Sequence, residues 1–155
     1  MLNKREGQKG FTLIEILVVI GLIAILAAIV LIAINPGRQF AQARNSQRES
    51  NVSTILNAIG QNLADNKGTF YCPSIGTVIG SPSASTTIGT DTGKSNLASC
   101  LVPTYIASGI PMDPSSGTDG NTGYEVSSST GRFMVCAPGH TEGAIPGSAA
   151  YCLTR

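Results

Sequence analysis

The sequence predicts an α+β protein in which a long N-terminal helix precedes a small antiparallel β-sheet. An apolar run broken by one charge covers residues 11–34, and apolar residues then recur with a helical period up to Leu63. Farther along, two short strand-like segments flank a turn rich in Ser, Thr and Gly. Because the chain has 155 residues, these elements leave room for one small head domain beyond the helix.

The composition indicates that part of this chain meets lipid or another protein. Charged residues make up only 12% and hydrophobic residues 42%, whereas charged residues usually account for about 25%. This composition is typical neither of a disordered chain nor of an ordinary soluble surface. The net charge of +1 provides no basic surface for a phosphate backbone, so we expect no nucleic acid as a partner.

The apolar run is long enough to span a membrane. Residues 11–34 read FTLIEILVVIGLIAILAAIVLIAI, with Glu15 as the one charge. As a helix they extend about 36 Å, and a bilayer core is about 30 Å thick. A removed signal peptide has a shorter apolar region followed by a small-residue cleavage site, and no such site follows Ile34. We therefore predict a transmembrane helix over residues 11–34 that stays on the protein.

The orientation of this helix is decided by the cysteines. Basic residues lie on both flanks, so the charge rule gives a tie. The chain has four cysteines, no Cys-x-x-Cys spacing and one His, which predicts two disulfides rather than zinc. The cysteines are Cys72, Cys100, Cys136 and Cys152. Since disulfides persist outside the cytoplasm, we expect an extracytoplasmic head and a cytoplasmic N-terminus.

Four cysteines allow three pairings, and the sequence leaves all three open. We favour Cys72 with Cys100 and Cys136 with Cys152, because each bond then closes one loop.

Residues 8–15, QKGFTLIE, resemble the processing site of type IV pilins and type II secretion pseudopilins. The resemblance continues from Lys9 to Ile34. In this family a short basic leader ending in Gly is removed by prepilin peptidase, and the new N-terminus is methylated. The resemblance implies a leader over residues 1–10, cleavage between Gly10 and Phe11, and N-methylation of Phe11.

Glu15 is the most unusual residue of the apolar run. A carboxylate costs about 2.5 to 3.5 kcal/mol at the bilayer centre and normally has a partner. After the implied cleavage, Glu15 is the fifth residue of the mature chain, where the family has its Glu. The resemblance therefore implies an assembly residue, whose carboxylate meets the amine of Phe11 on a neighbouring subunit. The alternative is that Glu15 only reaches toward lipid headgroups.

Beyond the membrane span, Pro36 and Gly37 predict a kink, because proline lacks an amide hydrogen and clashes with the preceding turn. Helix is expected to resume as an amphipathic segment over residues 38–65. Its apolar face, expected to pack on a sheet, comprises Val52, Ile55, Leu56, Ile59 and Leu63. Residues 38–51 have no comparable apolar face, which predicts a solvent-facing stalk or a contact between subunits.

The remainder of the head, within residues 35–155, is expected to be a loop and a small sheet. Fourteen of the twenty-two residues from Ser74 to Ser95 are Ser, Thr or Gly, which predicts a long surface loop. Residues 124–126 and 132–135 flank a turn ending at Gly131 and predict a β-hairpin, with a shorter last strand over 151–153. Together with the resemblance, this is a pilin-like α+β fold.

No catalytic constellation is apparent, so we expect no enzyme. The one histidine, His140, lies in a loop rich in Pro and Gly and is expected at the surface. Asp113, Asp119 and Asn121 form an acid-rich loop that resembles the calcium-binding head of the major type II secretion pseudopilin. The loop lacks the spacing and closing Glu of an EF-hand. We therefore predict no metal site and no cofactor, and calcium at Asp113 and Asp119 stays an alternative.

The resemblance implies a structural subunit: a prepilin that is cleaved, methylated and polymerised with other pilin subunits into an extracellular type IV pilus. Its expected partners are those subunits, prepilin peptidase, a membrane assembly platform and, before assembly, the lipid bilayer of the cytoplasmic membrane. The alternative within the family is a pseudopilin of a type II secretion or DNA-uptake system. A less favoured alternative is a membrane-anchored surface protein that never polymerises and keeps residues 1–10.

Overall fold

A computed structural model of the chain describes residues 10–72, 85–129 and 131–155. The chain divides into two units, Met1–Gln39 and Phe40–Arg155. The first unit contains the apolar helix, and the second unit, here called the head, contains the sheet and the hydrophobic core.

Helix α1 covers Leu13–Ala33 and is stabilised at its start by Thr12. The Thr12 Oγ1 atom accepts a hydrogen bond from the backbone amide of Glu15 at 3.3 Å, which satisfies one of the free amides of the first turn. No residue of α1 is buried within the chain. Among the residues that the structure describes, α1 is the one helix long and apolar enough to cross a membrane, with a mean hydropathy of 3.4 over its most apolar part.

The helical path is interrupted between α1 and the next helix. Ile34 is extended, with φ −95° and ψ 105°. Helix α2 then covers Pro36–Asp65, beginning two residues before the expected position 38. Proline suits the first position of a helix, where its missing amide hydrogen would have no partner. Asn35 caps this start, because its Oδ1 accepts from the amide of Arg38 at 3.2 Å.

Four short strands form one antiparallel sheet in the order β1-β2-β3-β4. They are β1 Thr86–Thr87, β2 Glu125–Ser129, β3 Arg132–Ala137 and β4 Tyr151–Thr154. Strands β2 and β3 form the predicted hairpin, in which Val126 lies opposite Val135. Strand β4 is the predicted last strand, paired with β3. The predicted α+β class with a small antiparallel sheet is confirmed.

The predicted surface loop from Ser74 to Ser95 is partly wrong in the part that the structure describes, since only residues 90–93 are exposed turns as expected. Its residues 74–84 lie outside the described residues, but Thr86 and Thr87 form β1 against β2, and Ile88 is only 1% exposed. A two-residue strand needs no apolar alternation, because its pairing is made by backbone groups. The short helix α3, Ala98–Leu101, follows this segment and was also not predicted.

The core lies between α2 and the sheet. The predicted stripe of α2 is buried there, although Leu63 is only partly buried. From the rest of the head, the cluster includes Phe70, Ile88, Leu97, Leu101, Tyr124, Val126, Phe133 and Val135. The rings of Phe70 and Phe133 pack with centroids 5.6 Å apart. The packing of the amphipathic stripe against the sheet is thus confirmed.

Two disulfides fasten the head. Cys72 is bonded to Cys100 across 28 positions of the sequence. Cys136 is bonded to Cys152, and these two residues face each other on β3 and β4. The first bond joins the chain just after α2 to α3. We expect it to contribute more to stability, since it closes the longer loop.

Replacing Cys72 and Cys100 together by Ala should lower the free energy of unfolding of the head by about 3 to 4 kcal/mol, because the unfolded chain regains the entropy of the open loop. The measurement is denaturant unfolding of the full chain in detergent micelles, followed by near-ultraviolet circular dichroism. The variant without Cys136 and Cys152 is the matched control and should lose slightly less. A larger loss in that control would contradict the loop-length argument.

Candidate functional site

The expected processing site lies in exposed chain before α1. Gly10 is exposed, and a β-carbon built on it would touch nothing within 4 Å. Phe11 follows with 79% of its surface exposed. The Gly10–Phe11 peptide bond therefore lies outside any helix or strand, in a segment that a protease can reach.

Glu15 lies in the first turn of α1 and is exposed. Its backbone amide is bonded to Thr12, but its carboxylate makes no hydrogen bond or ion pair with any of the described residues. The positive end of the helix dipole favours an acidic group in this turn. In apolar surroundings, however, the carboxylate requires a cation, and this cation must come from outside α1.

The surface of α1 is apolar on all sides. Its large hydrophobic side chains are between 47% exposed, at Val19, and 86% exposed, at Ile32. A helix that is hydrophobic all round is stable only in lipid or in the core of an assembly. Small residues interrupt this surface at Gly21, Ala24, Ala27 and Ala28, where another helix can approach closely.

The head contains a group of charged side chains, here called the arginine cluster, which comprises Arg44, Arg48, Asp113 and Glu142. Arg48 lies on α2 and is only 2% exposed. Its Nε donates to Asp113 Oδ2 at 2.6 Å, and its Nη2 donates to Asp113 Oδ1 at 3.1 Å. This two-bond geometry joins α2 to the loop before β2.

Arg48 has no unused hydrogen-bond donor. Besides the two bonds to Asp113, its Nη1 donates to Asn45 Oδ1 at 2.9 Å and to Glu142 Oε1, and its Nη2 donates to Ser115 Oγ at 2.9 Å. A guanidinium has five N–H groups, and all five are bonded here. Because all its donors have partners, this charged side chain can be almost completely buried.

The Asp113 carboxylate is fully engaged in the same cluster. Its Oδ1 also accepts from the backbone amides of Ser115 at 2.8 Å and Ser116 at 3.2 Å. Burial opposes ionisation of Asp113, but the bonds from Arg48 and the two amides outweigh it, so its pKa lies below the ordinary value. A calcium ion at Asp113 would have to displace these bonds, so the sequence-based alternative of calcium binding finds no support in the donor geometry.

Glu142 bridges the two arginines. Arg44 Nε donates to Glu142 Oε1 and Arg44 Nη2 to Glu142 Oε2, both at 2.7 Å, and Arg48 also donates to Oε1. The bonds from Arg44 and then those from Arg48 lower the pKa of Glu142 to about 2. The loop between β3 and β4 is thereby joined to α2.

The stalk predicted over residues 38–51 requires correction. Ala41, Asn45 and Arg48 of this segment are buried, so α2 packs on the head before its apolar stripe begins at Val52. These positions are spaced i, i+4, i+7 and i+11, which continues the stripe on the same helix face. The cluster was not predicted, because Asn45 and Arg48 are polar and do not extend an apolar stripe. The sequence does contain a signal for this buried face, namely the helical spacing of Asn45 and Arg48 ahead of Val52.

His140 is not the simple surface residue that we expected. Its ring stacks on Tyr151 with centroids 5.6 Å apart. The Nδ1 atom lies 2.8 Å from the carbonyl oxygen of Ala149, and Nε2 lies 3.1 Å from Glu49 Oε1. Its side chain is 17% exposed. From the loop after β3, His140 therefore packs between Glu49 on α2 and Tyr151 on β4.

Comparison with known proteins identifies the N-terminal segment. Residues 5–31 match the family model of the prokaryotic N-terminal methylation motif. The match includes Gly10, Phe11, Glu15 and most of α1. Neither the curated proteins nor the solved structures yield a significant match to this chain.

Replacing Arg48 by Met should destabilise the head by about 3 to 5 kcal/mol, because Asp113 then remains buried and ionised without its partner. Denaturant unfolding of the full chain in detergent micelles measures this loss. Arg44→Gln is the matched control: Arg44 is more exposed, so we expect a much smaller effect. Adding Asp113→Leu to Arg48→Met should recover part of the loss. Equal losses for Arg48→Met and Arg44→Gln would contradict the buried pair.

The head should lose stability in acid. The folded-state pKa of Glu142 is about 2, compared with an ordinary value of 4.5. The contribution of ionised Glu142 is therefore complete above pH 4.5 and disappears as the pH falls through this interval toward 2. Thermal unfolding as a function of pH should show a falling midpoint over this range, and Glu142→Gln should flatten the fall. An unchanged slope in this variant would exclude Glu142 as a cause.

Proposed function

Because the chain carries the prokaryotic N-terminal methylation motif, consistent with the type IV pilin and pseudopilin family, we propose that it is a prepilin, the structural subunit of a type IV pilus. Residues 1–10 are its leader, and prepilin peptidase cuts between Gly10 and Phe11. Phe11 is then methylated, and the mature subunits polymerise through α1. The observation that carries this proposal is the match of the methylation motif to a segment whose helix, α1, has an apolar surface on all sides.

The proposed orientation of the chain in the membrane is based on what lies at each end of α1. The exposed Gly10–Phe11 bond lies on the cytoplasmic side, where prepilin peptidase acts in this family. The head lies on the opposite side, where the disulfides Cys72–Cys100 and Cys136–Cys152 persist. Helix α1 anchors the subunit in the cytoplasmic membrane until a membrane assembly platform extracts it.

Polymerisation replaces lipid around α1 by the same helix of other subunits. The apolar surface then remains out of water at every stage. Glu15 is the one charged residue in this apolar surface, and its carboxylate has no partner among the described residues of its own subunit. In the filament, the methylated amine of Phe11 on a neighbouring subunit supplies the missing cation. A paired charge is tolerated in an apolar core, whereas an unpaired one is not.

The same motif serves pilins and pseudopilins, and the arginine cluster favours the pilus subunit. A calcium-dependent pseudopilin head would use the acid-rich loop of Asp113, but here Arg48 and two backbone amides already engage this carboxylate. We therefore expect the ion pair between Arg48 and Asp113 to stabilise the head. We expect this stability not to depend on added calcium.

The proposal is tested by replacing Glu15 with Gln, which keeps the shape of the side chain and removes its charge. Membrane insertion and cleavage at Gly10 should be unchanged, because neither requires the Glu15 carboxylate. Incorporation into surface filaments should fall at least about tenfold, since the loss of an ion pair in an apolar core exceeds about 1.4 kcal/mol. The measurement is the ratio of sheared filament protein to membrane protein.

Arg38→Gln is the control for this experiment. It also removes one charge close to α1, but Arg38 lies after the helix and outside the proposed contact. Normal filament yield is expected for Arg38→Gln. Normal filament yield from Glu15→Gln would overturn the assembly role of Glu15.

A further inference from the structure

Both ring nitrogens of His140 lie against hydrogen-bond acceptors. Nδ1 is 2.8 Å from the carbonyl oxygen of Ala149, and Nε2 is 3.1 Å from Glu49 Oε1 on α2. A carbonyl oxygen and an ionised carboxylate can only accept. A neutral imidazole has one N–H group and can donate to one of these partners, whereas an imidazolium has two N–H groups and can donate to both. The observed arrangement is therefore complete only when the ring carries both protons.

The face of the His140 ring also lies against a group that suits a cation. The Tyr151 ring stacks on it with centroids 5.6 Å apart and planes inclined by 30°. A cation within about 6 Å of an aromatic centroid is attracted by the negative face of the aromatic ring. Both nitrogens and one face of the imidazole thus contact groups that favour its charged form.

The other charged groups near His140 are paired with one another. Glu142, two residues farther along the chain, binds Arg44 and Arg48, and Arg48 also binds its buried aspartate partner. The carbonyl oxygen of His140 accepts from Asn45 Nδ2 at 3.0 Å, which holds the backbone of His140 beside α2. Among the residues that the structure describes, the charged partner that contacts the His140 ring is therefore the remaining carboxylate of this helix region, at position 49.

We propose that protonation of His140 controls whether the loop over residues 138–150 is bound to α2 at Glu49. In the doubly protonated ring, Nδ1–H donates to Ala149 and Nε2–H donates to Glu49, so the loop is attached to α2. When one proton leaves, it leaves from Nε2, because the Ala149 carbonyl belongs to the same loop and continues to accept from Nδ1. The lone pair of Nε2 then faces the Glu49 carboxylate, and the repulsion between them opens this contact.

This attachment would depend on pH in a range where the arginine cluster does not change. Histidine is the side chain that ordinarily gains and loses a proton between about pH 5 and 8. Glu142 keeps its bonds to the arginines throughout this range, because its carboxylate is protonated only as the pH falls from 4.5 toward 2. The loop thus has one lasting attachment to α2 and a second one that forms in mild acid and opens as the pH rises.

The test uses the full chain in detergent micelles with isotopically labelled histidine nitrogens. The chain contains one histidine, so the imidazole signals report His140 alone. Nuclear magnetic resonance at about pH 5 should show protons on both ring nitrogens, and at about pH 8 a proton on Nδ1 only. The side-chain signals of Glu49 and Tyr151 should follow the same transition. A neutral ring with its proton on Nε2, or Glu49 signals that do not follow the ring, would overturn the proposal.

Two variants separate the Glu49 contact from general charge effects. Glu49→Gln should lower the proton-binding constant of the His140 ring about two- to fivefold, the effect of losing one partly exposed ion pair. Asp65→Asn is the matched control. It removes the same charge from α2, but about 24 Å farther along the helix, beyond the screening length of about 10 Å at moderate salt. It should leave the constant unchanged. An unchanged constant in Glu49→Gln, or an equal fall in Asp65→Asn, would overturn the proposal.

Discussion

The apolar surface of α1 is the constraint on which the rest of the protein depends. Its large side chains are all substantially exposed, and none of its residues is buried. Burial of apolar surface is worth about 25 cal/mol per Å², so this helix needs lipid or neighbouring helices at every stage. Under the proposed function, the methylation motif, Glu15 and the small residues near Gly21 all serve the transfer of α1 from lipid to neighbouring helices.

The head meets a different requirement, since it must remain folded in water with a low charge content and a small core. Two disulfides supplement that core by joining the chain after α2 to α3 and β3 to β4. The arginine cluster joins α2 to the loop before β2 and to the loop between β3 and β4. In the cluster, Arg48 contacts both Asp113 and Glu142, so one side chain holds two loops. The expected consequence is a head that is rigid near neutral pH and labile in acid.

The extent to which the sequence predicts this structure depends on how local each signal is. The apolar run, the stripe from Val52 to Leu63 and the hairpin are local periodic patterns, and their elements were predicted. Strand β1 was missed because two backbone-paired threonines carry no pattern. The helical spacing of Asn45 and Arg48 could have indicated a buried face of α2, but not its partner, because Asp113 lies 65 positions from Arg48.

The most direct test of the central claim is the intact mass and N-terminal peptide map of the protein from sheared surface filaments and from the membrane, with and without reduction. The account predicts that the filament form begins at methylated Phe11 and gains the mass of four hydrogens when its two disulfides are reduced. A chain that still begins at Met1 and occurs only in the membrane, in cells with active prepilin peptidase, would contradict it. The protein would then be a static membrane anchor.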